Sequence, residues 1–233
     1  MDLFYFPHLA PDRATTHIAL FRNVKNAAEL RKRIIAAATT EGEAGDAARE
    51  EVNFAFIDAR LITSRLHLQT AVYQSLLAEA QNGLRTRTVH SEVLWNLNPT
   101  NNITEAIRRY GVSDATTSLL VVRIDGGNIP VEEMQSRIQK VVEGELTPLS
   151  KLREITDWTT IKKYHKLASE LSVKAAQGDL EKETAVIDNI VTIDQDQSLL
   201  RDAFQSIVDL NWKAISLSKL CVSTSNNLGT IVQ

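Results

Sequence analysis

The run Leu119-Leu120-Val121-Val122-Arg123-Ile124 constrains the fold more than any other stretch of this chain. A strand points successive side chains to opposite faces, so an almost unbroken apolar run needs an apolar layer on both sides of its sheet. This segment is therefore expected at the centre of a sheet. Thr16-His17-Ile18-Ala19-Leu20-Phe21 has the same character, and Phe54-Ala55-Phe56-Ile57 is a shorter buried strand that runs into a polar turn at Asp58. Val93, Trp95 and Leu97 alternate with Glu92, Asn96 and Asn98, a period of two that reads as a strand with one polar side, closed by Pro99.

Helical signals lie between these runs. Asn26 with Glu29 three residues on makes a capping-box-like start, after which Ala27, Leu30, Ile34 and Ala37 recur at helical spacing. Leu68, Val72 and Leu76 give a wider stripe ending at Asn82-Gly83, and Asn102 with Glu105 opens another helix closed by Gly111. Pro130 suits a first turn before Val131, Met134 and Ile138, and shorter helices are expected over Leu149 to Glu154 and from an Asp157 cap onward. Thr39 to Glu51 is acidic and Gly-containing, and reads as a mobile insertion. Alternating strands and helices predict an α/β (α+β) domain over residues 1–172, a mixed sheet of about four strands covered by helices. Residues 173–233 change character and read as an irregular or helical C-terminal appendage, with a possible amphipathic helix from Leu199 to Val208.

Composition narrows the function classes. Twenty-six Lys plus Arg against 29 Asp plus Glu give a net charge of −3, so any nucleic-acid contact has to be a local patch. The single cysteine, Cys221, excludes an internal disulfide and fits a reducing compartment. Met1 to Pro11 lacks a basic start and a long apolar run, and no stretch is apolar enough to cross a membrane, so a soluble intracellular protein without a membrane partner is expected.

A search for catalytic equipment finds little. His8, His17, His67, His90 and His165 show no metal-binding spacing, Gly-rich phosphate loops and GxSxG are absent, and Cys221 has no adjacent base. No metal or cofactor is expected. Asp58 is the one acid set between an apolar strand and a turn; it is either the carboxylate of an unfamiliar enzyme site or a turn acid paired with Arg60, the more frequent role. Arg85 and Arg87, two apart in a segment read as extended, would project together as a phosphate-binding pair or form an ordinary solvated edge. Arg31-Lys32-Arg33, Arg108-Arg109 and Lys162-Lys163-Lys166 are further basic clusters.

In this order, the segments IALFRNVKNA from Ile18, FAFIDARLI from Phe54, Arg85-Thr86-Arg87 and SEVLWNLNPTNNI from Ser91 resemble the small kinase-binding subunit of the KEOPS (EKC) complex, the family of the animal PRPK-binding protein. The similarity spans about Thr16 to Leu167. It implies a non-catalytic α/β subunit that docks on the amino-terminal lobe of the small atypical PRPK-type kinase/ATPase, regulates it, and through it joins the remaining KEOPS subunits. It also implies a share in binding tRNA for threonylcarbamoyladenosine formation next to the anticodon, with Arg85 and Arg87 as candidate contacts. Location in the nucleus, including telomeric chromatin, and in the cytoplasm follows from the same resemblance, as do links to transcription. A stand-alone tRNA-binding module is the alternative. Family chains finish soon after the helix around Lys162 to Leu167 with a short element that contributes to kinase docking, a pattern from which Val173 to Gln233 departs. Kinase-contacting residues are therefore unassigned.

Overall fold

Two long strands pair along their whole length and organise the remaining chain. The structure, a computed structural model, describes residues 1–195. In chain order its elements are β1 (Asp2–Tyr5), β2 (Thr15–Arg22), α1 (Ala27–Thr39), α2 (Gly42–Glu51), β3 (Ala55–Asp58), α3 (Arg65–Ala80), α4 (Val89–Leu97), α5 (Ile103–Tyr110), β4 (Ser118–Asp125), α6 (Val131–Gln139), β5 (Glu145–Thr147), α7 (Trp158–Tyr164) and α8 (Leu171–Ala175). Short 3₁₀ turns occupy Ala59–Leu61, Leu149–Glu154 and Leu167–Ser169, and the backbone is helical again over 180–195.

The sheet has five strands in the order β1-β2-β4-β3, with β5 also on β2, and every pairing is antiparallel. β1 covers Thr15 to Ile18 of β2 and β5 covers Leu20 to Arg22, so both lie along the same edge of that strand. An α+β architecture is thus observed, although no pair in the sheet is parallel. Antiparallel neighbours need no crossover helix between them, which leaves the helices free to stack on the faces.

The register explains the two-sided apolar runs. Ile18 and Leu20 of β2, with Leu120 and Val122 of β4 and Ile57 of β3, face a core built with α3, α4 and α7. Ala19, Phe21, Leu119, Val121 and Phe56 face the opposite way and pack on Leu30 of α1 and on Met134 and Ile138 of α6. One sheet therefore carries two cores.

Three sequence expectations need correction. The segment 93–97 is helical, because Val89, Val93 and Leu97 are buried at a spacing of four and Thr88 forms a capping box with Ser91. The fourth and fifth strands come instead from β1, whose buried Phe4 alternates with exposed Leu3 and Tyr5, and from β5. Residues 42–51 are no loose insertion but the helix α2. Arg49 fastens it by donating to the Ala37 and Thr40 carbonyls at the end of α1, at 3.1 and 2.8 Å, and by pairing with Asp46.

The compact unit also does not stop at residue 172: it runs from Met1 to Gln195. Val173, Ile187 and Val191 are buried in the larger core, and Thr63 Oγ1 donates to Asp188 at 2.6 Å. The helix expected over Leu199 to Val208, and Cys221, lie outside the described residues.

Candidate functional site

Arg85 and Arg87 lie not on a sheet edge but in the bent segment that leads into α4. The two-residue spacing therefore does not carry the meaning it has in a strand. Glu92, fully buried on the first turn of α4, holds this loop: its Oε2 accepts from the Arg85 amide at 3.0 Å, the Thr86 amide at 2.9 Å and Thr86 Oγ1 at 2.8 Å. The Arg85 guanidinium stands 3.5 Å from Oε1 of the same carboxylate. Thr88 completes the frame by accepting from the Ser91 amide while its own amide donates to Ser91 Oγ. Arg85 thus has a structural duty, neutralising a buried acid, while Arg87 is exposed at the tip of a preformed loop. The sequence signal for this clamp was Glu92 itself, an acid at an otherwise apolar register of the helix.

The surroundings of Asp58 match the turn-acid reading. Its side chain caps the 3₁₀ turn through the Arg60 amide and takes Nε and Nη2 of Arg60 at 3.0 and 2.6 Å, so both oxygens are engaged. That hydrogen bond with Asp58 raises the Arg60 pKa against the opposing effect of burial. The Arg60 carbonyl in turn accepts from the Asp157 amide at 2.8 Å, and Asp157 caps α7. Asp58 therefore ties the end of β3 to a helix across the core.

Most of the other basic clusters are partly neutralised. Arg31 meets Asp114, Arg33 meets Glu51, Arg108 and Arg109 share Glu105, and Lys162 meets Glu183. The histidines serve the interior. Thr63 N–H donates to His67 Nδ1, Ile124 N–H donates to His90 Nε2, and His165 Nε2 lies 3.1 Å from the Tyr110 hydroxyl. Burial lowers the pKa of His67 and His90 to about 3 and that of His165 to about 4. An imidazole nitrogen that accepts from an amide must be unprotonated, the form that burial also favours. Among the described residues no group of three or more His, Cys, Asp or Glu could hold a metal ion, and no helix is long and apolar enough to cross a membrane.

Sequence reasoning missed the exposed apolar side chains. Leu3 and Tyr5 project from β1, with Leu66 at the start of α3, while Leu171, Leu180 and Ile193 project from the C-terminal helical segment. At β1 the Leu3 carbonyl already accepts from Arg65 at 3.2 Å, which blunts that rim against pairing with another chain. Leu180 and Ile193 sit on the segment that sequence patterning assigns to an appendage.

Comparison with known proteins places these observations. Residues 21–194 match the family model described as kinase binding protein CGI-121. The chain is 37% identical over 223 residues to a protein of Cryptococcus neoformans named EKC/KEOPS complex subunit CGI121, covering 82% of this chain and 97% of that one. It is 33% identical over 172 residues to the subunit of the same name in Aspergillus fumigatus, covering 72% and 85% of the two chains. In Kluyveromyces lactis the identity is 33% over 138 residues, covering 58% and 75%. The match reaches residue 194, beyond the limit of the resemblance at Leu167, and so takes in α8 and the helical residues 180–194. This chain belongs to the CGI-121 kinase-binding protein family.

Proposed function

We propose that the protein is the non-catalytic subunit of a KEOPS (EKC) complex that docks on the complex's small PRPK-type kinase, regulates its ATPase activity and helps hold tRNA for threonylcarbamoyladenosine formation. The family match over residues 21–194 carries this reading, because it spans both cores and the C-terminal helices rather than one motif. The engaged Asp58 carboxylate and the interior histidines also favour a scaffold over an enzyme. Leu180, an exposed apolar side chain at the start of the C-terminal helix, offers buried area to the kinase. Arg87, with Arg85 behind it, supplies phosphate contacts to tRNA. Nuclear location, including telomeric chromatin, together with a cytoplasmic pool belongs to the same proposal.

Mixing the protein with its cognate kinase subunit is expected to give a co-eluting complex with raised ATP turnover. Leu180→Asp should weaken that complex at least tenfold without loss of fold, whereas no association at micromolar concentration removes the reading. For tRNA, Arg87→Ala should lower affinity and flatten its salt dependence, because fewer counterions are released. Unchanged affinity and slope would mark Arg87 as a solvated loop residue only.

A further inference from the structure

A pocket of about 530 Å³ opens on the α1–α6 side of the sheet, away from the Arg85–Thr88 loop. Its size lies within the range of sites that enclose small molecules, about 300–1,000 Å³. Phe54, Met134 and Val141 give it an apolar floor; Met134 and Val141 are core residues, while the Phe54 ring is only partly covered and stands edge-on to Phe56. Around this floor stand four cations, Arg33, Arg123, Arg137 and Lys140, against two carboxylates, Glu50 and Glu51. The wall is thus positive in a chain whose net charge is −3.

The four cations are not equally committed. Arg123 is fixed, donating Nη1 to the Asn53 carbonyl at 2.7 Å and Nη2 to Glu50 at 2.8 Å, with its guanidinium 5.7 Å from the centre of the Phe54 ring. Its Nε is buried with no hydrogen-bond acceptor among the described residues, so the donor set of this guanidinium is not saturated. Arg33 pairs with Glu51 at 3.3 Å and Arg137 with Glu133 at 2.7 Å, both at sites where the side chains remain substantially exposed. Exposed pairs of this kind contribute little and exchange readily for a better partner. Lys140, exposed at the end of α6, adds a fourth positive charge.

We propose that this pocket binds a phosphate monoester carried on a flat apolar body, the ring lying against Phe54 and Met134 and the phosphate meeting Lys140, Arg137 and Arg33. With Glu133 counted against Arg137 the wall keeps one positive charge in excess, and a dianion draws the forks of Arg33 and Arg137 from their exposed carboxylates more strongly than a monocarboxylate does. The aromatic floor adds selectivity for a ring that inorganic phosphate cannot satisfy.

Phenyl phosphate, inorganic phosphate, benzoate and benzyl alcohol test the assignment when titrated at pH 8 into the full chain, with heat and amide shifts as readouts. Phenyl phosphate should bind at least about tenfold more tightly than the other three and shift amides around Phe54 and Lys140. Lys140→Ala should weaken it about five- to tenfold, while Lys163→Ala on α7 leaves it unchanged. Glu51→Gln removes the carboxylate that competes for Arg33 and should strengthen binding, whereas Glu170→Gln should not. Equal binding of benzoate or of inorganic phosphate, or indifference to Lys140→Ala, would overturn the proposal. None of these readouts involves the kinase or tRNA, so they stand apart from the function proposed above.

Discussion

At the scale of single residues, Glu92 shows how one buried charge dictates the behaviour of a surface. Its carboxylate is fully buried and answered by two amides, a hydroxyl and the Arg85 guanidinium, so removing Arg85 leaves part of a buried negative charge uncompensated. The three remaining donors soften the loss, and Arg85→Ala is expected to destabilise the fold by about 1–3 kcal/mol, while Arg87→Ala stays within about 0.5 kcal/mol of the parent. Urea denaturation of both variants checks this. Equal stability of the two would show that Arg85 has no structural duty. The distinction matters for function, because only Arg87 can report on tRNA binding without also disturbing the loop that presents it. Asp58 illustrates the reverse case: its pairing with Arg60 was legible in the sequence from the DAR spacing alone, since an Asp two residues before an amide and an Arg fork can satisfy both locally.

At the scale of elements, local signals succeeded at two caps and failed at Asn26, which makes no side-chain cap bond to α1 but instead donates to the Val141 carbonyl and accepts from the Glu143 amide, and over 89–97, where two periods overlapped. Asn102 and Asp157 cap α5 and α7 as expected, each accepting from an amide three residues on. Over 89–97 the alternation of Val93, Trp95 and Leu97 competed with the four-residue spacing of Val89, Val93 and Leu97, and the Thr88–Ser91 capping box decided for helix. Thr88→Ala should therefore cost about 1 kcal/mol, measurable as a lowered urea midpoint. The C-terminal helical residues are a larger matter. Burying a side chain such as Val173, Ile187 or Val191 stabilises by about 1.5–3 kcal/mol each, and Lys162–Glu183 and Arg153–Thr184 contacts add to the attachment. A chain ended after residue 172 should lose on the order of 5 kcal/mol relative to one ended after residue 195, most of a domain's stability. Equal denaturation curves for the two would show that this segment is dispensable to the core.

At the scale of the whole molecule, three buried neutral histidines make the fold sensitive to acid. His67, His90 and His165 have native pKa values of about 3, 3 and 4, depressed mainly by burial, whereas unfolded histidine titrates near 6.5. Below pH 6.5 the unfolded chain takes up protons that the native state refuses. Stability is therefore fully present above pH 6.5 and declines on acidification until the native pKa values are reached, with a slope of up to about 1.4 kcal/mol per pH unit for each histidine. Urea midpoints at pH 7.5 and pH 5 should differ accordingly. His90→Gln, which can still accept from the Ile124 amide, should reduce the slope, and a pH-independent midpoint would mean that these imidazoles are not held neutral in the interior.

The sequence by itself determined the central strands, because a run apolar on both sides has no stable place except between two layers, and it determined the helices whose caps and stripes agree. It also carried the family resemblance through ordered segments. Only the tertiary structure decided which surfaces are free, since exposure of Tyr5, Leu171 or Leu180 depends on what packs beside them rather than on their own spacing. The same holds for α2, whose acidic sequence buries almost nothing and is held by Arg49 reaching the end of α1 and by Glu50 meeting Arg123. Long-range polar contacts of this kind leave no periodic trace in a chain, because they join residues whose separation along the sequence is set by the fold.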